Sequence, residues 1–235
     1  MKPSTPLWLF DLDNTLHNAT YAIFPAIHQN MNRIIARNLA VDGVDADAAT
    51  VNAAREHYWR SYGATLLGMI KHHHVRPADF LREAHSIADL PSMIRAERGL
   101  IHLLQRLPGR KILLTNAPQH YSKLVMHHLG LQRQIEQHIS IESMRVHGQL
   151  RPKPCSLLYR KLMRREGVCA RDCILVEDTI ANLKSAKRVG MRTVWVTGYL
   201  PIPSQPSKQK NQRHGYVDVQ VKSVLNLVDH LHRLR

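Results

Sequence analysis

Three apolar runs in this chain each stop on residues that can do chemistry. "LWLF" (7–10) is followed by Asp11 and Asp13, "KILL" by Thr115 and Asn116, and "CILV" by Glu177 and Asp178. Lys153 stands in "RPKP", beyond a further run, "HISI" (138–141). Positions i and i+2 of a strand face the same side, so Asp11 and Asp13 are expected to crowd one spot. Two such carboxylates repel and raise each other's pKa, which calls for a cation between or beside them. Carboxylates converging on one place make a hard-oxygen pocket suited to Mg²⁺ that keeps several waters and shares a phosphate oxygen. Asp11 and Asp178 are the expected carboxylate ligands and the backbone carbonyl of Asp13 the third, which frees the Asp13 side chain for proton transfer. With Mg²⁺ and Lys153 close by, Asp11 stays ionised and can attack an electrophile. Thr115 and the Asn116 amide are donors for the oxygens of a transferring phosphoryl group.

Those residues work together only if the runs are strands of one sheet. The candidates are 7–10, 111–115, 138–141, 173–177, 193–196 and a weaker 216–221, and most are separated by one helical pattern. Such alternation predicts an α/β fold, a doubly wound parallel sheet. Ligands of such sheets gather at the carboxyl ends of the strands, where all the residues above fall. The helices after Pro154 and after Asp178 close on glycines. One interval breaks the rhythm: residues 18–92 read almost wholly helical, as in "IFPAIHQNMNRIIARNLA" (23–40), and are expected to form an inserted helical domain. The α/β core is then 1–17 with 93–235. Within it, 201–215 holds three prolines, several basic residues and no periodicity, the pattern of a mobile loop.

Composition narrows the function. At 235 residues with 44% hydrophobic side chains, the chain can build a sizeable core. Its longest apolar runs fall far short of a membrane span, and the one near the N-terminus stops at Asp11, too short for a signal peptide. A cytoplasmic protein is expected, with no membrane partner. Three cysteines without a Cys-x-x-Cys pair suggest neither a disulfide framework nor a zinc knuckle. The 33 Lys and Arg against 18 Asp and Glu give +15, which favours anionic partners. Basic residues come with little aromatic interleaving, so small phosphorylated metabolites are favoured over nucleic acid.

The four stretches "DLDNT", "LLTNA", "RPKP" and "LVEDTIANL" occur in an order that resembles the haloacid dehalogenase superfamily, over nearly the whole chain. The resemblance implies a Rossmann-like core with a helical cap over residues 18–92. It implies that Asp11 is the nucleophile forming a phosphoaspartate, and that Asp13 protonates the leaving group and later activates water. Dehalogenase members lack that second Asp, so Asp13 favours phosphate ester chemistry. Longer strings, "FDLDNTLH", "HYWRSYGATLLGM" (57–69), "TNAPQHYSKLVMHHLGL" (115–131) and "VEDTIANLKSAKRVGMRTVWV" (176–196), are similar to the pyrimidine 5′-nucleotidase branch. His17 departs from that branch, which usually has Tyr there, at a position expected to face the cap hinge. The expected activity is Mg²⁺-dependent hydrolysis of pyrimidine nucleoside 5′-monophosphates. The alternatives are a phosphatase or phosphomutase for another small ester, such as a sugar phosphate or phosphoglycolate, and a nucleic-acid-binding protein on this scaffold.

Other residues carry smaller expectations. Tyr62, beside Gly63, is expected near the base or sugar, with Tyr58 and Trp59 packed in the helix core. Glu177 supports the metal site from behind, and Asn182, four residues after Asp178, orients Asp178 or caps the turn. The triplet His72–His74 splays around a helix and cannot share one ion, so it reads as a solvated helix end. Cys155 has no base at catalytic spacing and reads as structural.

Overall fold

The computed structural model describes residues 5–200 and 214–234; the expected mobile segment 201–215 therefore lies almost wholly outside the described residues. The chain divides into two compact units, Met1–Thr20 with Ile94–Arg235, and Tyr21–Met93. These boundaries fall one to three residues later than the sequence pattern places them. Asn18, Ala19 and Thr20 stay with the first unit because its hydrogen bonds hold them. Asn14 Oδ1 accepts from the backbone N–H groups of Ala19 and Thr20, and Asn18 N–H donates to Arg95 O at 2.6 Å.

The first unit is an α/β core. Its strands are β1 (Leu7–Phe10), β2 (Arg110–Leu114), β3 (Gln137–Ile139), β6 (Cys173–Glu177), β7 (Arg192–Val196) and β8 (Val219–Val221), all parallel, in the order β3-β2-β1-β6-β7-β8. A short antiparallel pair, β4 (Arg145–Val146) and β5 (Gln149–Leu150), stands apart from it. The four residues of β1 are almost wholly buried because it is a central strand with both faces covered. Alternation sends Leu7 and Leu9 to one face, where they join Ile112, Leu175, Tyr159 and Leu162 in one apolar cluster. That face is covered by α8 (Ser156–Glu166) and α9 (Ile180–Arg188), which contribute Leu158, Met163, Leu183 and Ala186. Trp8 and Phe10 point the other way, ring centroids 6.0 Å apart, and the Trp8 indole N–H donates to Pro108 O. The remaining core helices are α6 (Leu100–Arg106), α7 (Gln119–His128) and a terminal helical run, Val224–Leu234.

Strand order reverses at β1: the chain goes first to β2 and β3 on one side and later to β6, β7 and β8 on the other. The crevice beyond the carboxyl ends of β1 and β6 is the switch point at which such sheets bind ligands. Registration there is close, because Phe10 pairs with both Leu113 and Val176, and Asp11 N–H continues the ladder to Val176 O.

The second unit is all-helical: α1 (Ile23–Asn38), α2 (Ala48–Tyr62), α3 (Thr65–His73), α4 (Pro77–Ala84) and a single turn, α5 (Leu90–Met93). Ile23, Ile27, Ile34 and Ile35 line the buried stripe of α1, and Phe80, Leu81 and Ala84 that of α4. Asp47 caps α2 by accepting from the Thr50 N–H at 2.7 Å. A Cβ on Gly68 would lie 2.3 Å from the Tyr58 ring, so glycine is what lets α3 approach α2. Tyr58 is in the core as expected, but Trp59 is 61% exposed, one helical step away on the outer surface.

Beyond the switch point, β7 is tied to the start of β8. Asp218 accepts from Lys187 Nζ at 2.6 Å through one oxygen and from the Thr193 N–H at 2.9 Å through the other. Burial pushes the Asp218 carboxyl up, but Lys187 and Thr193 outweigh it and hold it below the usual range. Asp218→Ala leaves buried Thr193 without its acceptor and should cost about 1–3 kcal/mol in urea unfolding at neutral pH. Because the folded-state pKa is depressed, the difference from wild type should shrink as pH falls below about 4.

Candidate active site

Asp11 is the first residue past β1, and burial leaves it 6% exposed. Its Oδ1 accepts from Lys153 Nζ at 2.7 Å, and its Oδ2 from the Thr15 hydroxyl at 3.3 Å. Lys153 reaches this point from the far side of the sheet order, donating also to Glu177 Oε2 at 2.8 Å. Glu177, the last residue of β6, is the hub. Its Oε2 also accepts from Asn182 Nδ2 at 2.9 Å, and its Oε1 from the backbone N–H groups of Asp178 and Thr179. Asn182 therefore orients Glu177, where the spacing suggested that it orients Asp178 or caps the turn. Asp178 is half-buried, takes the Thr179 hydroxyl on Oδ1, and is fixed through its carbonyl by the Trp195 indole N–H.

Asp13 is not where strand alternation puts it. The strand ends at Phe10, and the chain turns, with Asn14 at a φ of 58°. The Asp13 carboxyl has partners of its own: its Oδ1 accepts from the Tyr121 hydroxyl at 2.6 Å and meets His17 Nε2 at 2.8 Å. The cation expected between or beside the two aspartates is Lys153, which lies beside Asp11. His17 is fully buried against Asp13.

Thr115 continues β2 by one residue, is 1% exposed and accepts the Ala117 N–H on its hydroxyl oxygen. The Asn116 side-chain amide is engaged at both ends by the Lys153 backbone, donating to its carbonyl at 2.9 Å and accepting from its N–H at 3.0 Å. Asn116 is thus a brace that fixes the loop carrying Lys153, and what it can still offer a ligand is its backbone N–H and a second amide hydrogen.

Charge accounts for the ionisation pattern. Burial pulls the Lys153 ammonium down, but Asp11 and Glu177 outweigh it and hold it above its usual range. Burial pushes Glu177 up, yet Lys153 and the backbone donors bring it below its usual value. Asp11 is pushed up to about 7 by burial and by Glu177, and Asp178 to about 9 by burial, Glu177 and Asp11. Three carboxylates share one ammonium, and two of them hold their protons too tightly for their type. One oxygen from each of Asp11, Glu177 and Asp178 lies within 4.8 Å of the others. A hard divalent cation fits this donor set and would supply the missing positive charge. Since Glu177 already accepts four hydrogen bonds, Asp11 and Asp178 are the carboxylates with oxygens to give such an ion; the Asp13 side chain is not in the cluster.

Thr15, His17 and Tyr121 join the site without having been singled out for it. His17 stands four residues after Asp13, and Tyr121 one turn into α7 after "TNAP"; either spacing brings a donor back to the strand ends only once the turn at Asn14 and the placement of α7 are known. Tyr62 lies in the helical unit, where its hydroxyl meets His72 Nε2 at 2.7 Å and Lys71 Nζ sits 5.0 Å from its ring centroid. Tyr58 likewise meets His73 Nε2 at 2.7 Å. The triplet is the largely exposed end of α3, as expected, and two of its histidines are in addition tyrosine partners. Cys155, Cys169 and Cys173 are free thiols.

A profile of the haloacid dehalogenase-like hydrolases matches residues 7–190. Among solved structures, the chain is similar to a haloacid dehalogenase-type phosphatase from Thermococcus onnurineus, at 16% identity over 96% of this chain and 97% of that one, with a TM-score of 0.61. It is similar also to a haloacid dehalogenase-like protein of unknown function from Agrobacterium tumefaciens (18%, 97% and 98%, 0.60). A third is the L-2-haloacid dehalogenase from Xanthobacter autotrophicus (17%, 97% and 99%, 0.56). At these identities the likeness is one of fold.

Lys153 compensates two buried carboxylates at once. Lys153→Met should lower stability by about 3–5 kcal/mol in urea unfolding, since it strands both charges. Adding Glu177→Gln should recover part of that loss. A single variant as stable as wild type would mean that the triad does not hold the strand ends together.

Proposed function

The chain belongs to the haloacid dehalogenase-like hydrolases, and on that premise we propose that it is a Mg²⁺-dependent phosphomonoesterase working through an aspartyl-phosphate. The observation that carries this is the separation of the two aspartates: Asp11 on Lys153, and Asp13 in a different hydrogen-bonded environment two residues on. One carboxylate is set up to attack and the other to move a proton. A halide leaves without a proton, whereas an alkoxide needs one, so a second, separately held acid suits an ester. Environments that differ between neighbouring carboxyls are how acid and nucleophile roles divide.

In this reading Asp11 attacks phosphorus as the P–O bond to the alcohol breaks, and Asp13 gives its proton to the departing oxygen. Water then attacks the phosphoaspartate, loses a proton to Asp13, and releases phosphate and the Asp11 carboxylate. Lys153 holds Asp11 in line, while the Thr115 hydroxyl and the Asn116 backbone N–H donate to the phosphoryl oxygens. Mg²⁺ held by Asp11, Asp178 and the Asp13 carbonyl would neutralise charge on the phosphoryl group and on the acidic cluster. Asp11→Asn should lower phosphate release by several orders of magnitude while keeping the fold, because the amide preserves shape but is no nucleophile. Mg²⁺ at about 100 times its dissociation constant should raise unfolding free energy by about 2.7 kcal/mol, and Asp178→Asn should abolish that increment. Turnover by Asp11→Asn, or full activity in EDTA, overturns the mechanism.

The substrate class we propose is pyrimidine nucleoside 5′-monophosphates, supported by the branch-like strings and by the aromatic residues of α2. The rivals are other small phosphate esters, a phosphomutase outcome, and nucleic-acid binding on this scaffold; a high positive charge serves attraction of any anionic substrate and does not itself require nucleic acid. Phosphate release from a panel of nucleotides, sugar phosphates and phosphoglycolate discriminates among the esters. If Tyr62 stacks on the base, Tyr62→Ala should raise KM for pyrimidine monophosphates by about 1–3 kcal/mol in free-energy terms, with a smaller change for p-nitrophenyl phosphate. Equal losses on both, or a fall in melting temperature that explains them, assign Tyr62 to packing with His72.

A further inference from the structure

We infer that Trp195 and Thr179 are positioning residues for Asp178: the indole fixes its backbone carbonyl and the hydroxyl fixes its carboxyl, so that this acid is held in place for a divalent cation before the cation arrives. The inference deepens the reading above and rests on its claim that the acidic cluster is a cation site. One oxygen from each of Asp11, Glu177 and Asp178 lies within 4.8 Å of the others. Acids this close repel, so the least restrained of them would swing out. Asp11 is fixed by the β1 ladder and Lys153, and Glu177 belongs to β6. Asp178 alone needs other restraints.

β6 ends at Glu177 and α9 starts at Ile180, so Asp178 lies in neither the strand nor the helix. A backbone outside regular structure keeps conformational freedom, and a carboxyl turns easily about its last bond. Three hydrogen bonds remove that freedom. The Asp178 N–H donates to Glu177 Oε1 at 3.2 Å, its carbonyl accepts from Trp195 Nε1 at 2.9 Å, and its Oδ1 accepts from the Thr179 hydroxyl at 3.0 Å. Backbone and side chain are thus anchored separately.

Each donor forgoes or exceeds what packing and helix stability ask of it. Thr179 is the N-cap of α9, where a threonine side chain ordinarily accepts a backbone N–H of the first turn. It makes no such cap: the Asn182 N–H goes to the Thr179 carbonyl at 3.1 Å, and the hydroxyl is turned to Asp178. Trp195 pairs in register with Glu177 from the neighbouring strand β7, and its ring packs against the apolar cluster that includes Leu175 and Leu183. A phenylalanine ring would serve that packing. What indole adds is an N–H, and it goes to Asp178, 17 residues away in the chain. Partners that orient a metal ligand without touching the ion typically strengthen binding about 10- to 100-fold, because the ion need not order the ligand itself.

The test follows the unfolding midpoint of the metal-free full chain over a series of Mg²⁺ concentrations, which yields a dissociation constant without any turnover. Trp195→Phe and Thr179→Val should each weaken Mg²⁺ binding about 10-fold, the lower end of the range for partners that do not touch the ion. Thr179→Ser, which keeps the hydroxyl, should restore wild-type affinity. Trp8→Phe is the control for an indole with a structural role only. Trp8 Nε1 donates to Pro108 O at 2.7 Å, ahead of β2, so this variant should lose stability without metal yet keep wild-type Mg²⁺ affinity. Unchanged affinity in Trp195→Phe or Thr179→Val, Thr179→Ser no better than Thr179→Val, or equal weakening by Trp8→Phe overturns the inference. If Trp195→Phe does not fold, the two Thr179 variants decide alone. A wild-type midpoint that does not respond to Mg²⁺ overturns the metal-dependent reading and this inference with it, whereas a responsive wild type matched by its variants overturns the inference only.

Discussion

A single buried ammonium organises the carboxyl ends of two central strands. Lys153 donates to Asp11 past β1 and to Glu177 at the end of β6, so its side chain bridges the crevice at which the strand order reverses. Neither carboxylate could be buried alone there at reasonable cost, because a lone ionised group in a low-dielectric interior takes up a proton instead. The rest of the site is arranged to keep that ammonium in place. Asn116 brackets the Lys153 backbone from the end of β2, and Asn182 and two backbone N–H groups hold the far side of Glu177. Three strand ends and the start of α9 are thereby held around one lysine.

The bridge also explains why the site is short of positive charge. With Glu177 fully engaged, the negative charge left over falls on Asp11 and Asp178, whose carboxyls are both pushed up. Such a cluster has a built-in preference for a divalent cation, and the same electrostatics that make the cation welcome keep Asp11 ionised when it is present. Asp13 leaves the strand direction and is held by a phenol and an imidazole; on the phosphatase reading, that is how two carboxyls separated by one residue take different tasks.

The helical unit follows a different logic. Its core is a conventional stripe of Ile, Leu and Phe, but between α2 and α3 the packing is tyrosine against histidine, admitted by the absence of a side chain at Gly68. That seam accounts for histidines whose spacing alone offers no chemistry. It also makes Tyr62 a residue with a structural partner already in hand, so a role toward substrate has to coexist with its bond to His72.

The sequence by itself determined the α/β class, the six strands to within a few residues, the helical insertion and the acids at the strand ends. These are legible because buried parallel strands must be continuous apolar runs, and because the first polar residue after each run falls at the carboxyl edge whatever the details of packing. Only the tertiary structure decided which groups meet. Strand alternation placed Asp11 and Asp13 together, yet alternation lapses where the strand does, and the turn at Asn14 sent Asp13 to His17 and Tyr121. Helical spacing put Asn182 near Asp178, but its amide reaches Glu177, since Glu177 lies at the strand end over which α9 starts. Tyr121 is 108 residues from Asp13 in the chain. No local pattern encodes that hydrogen bond, because it depends on how α7 settles on the sheet, a matter of packing between elements and not of propensity within one.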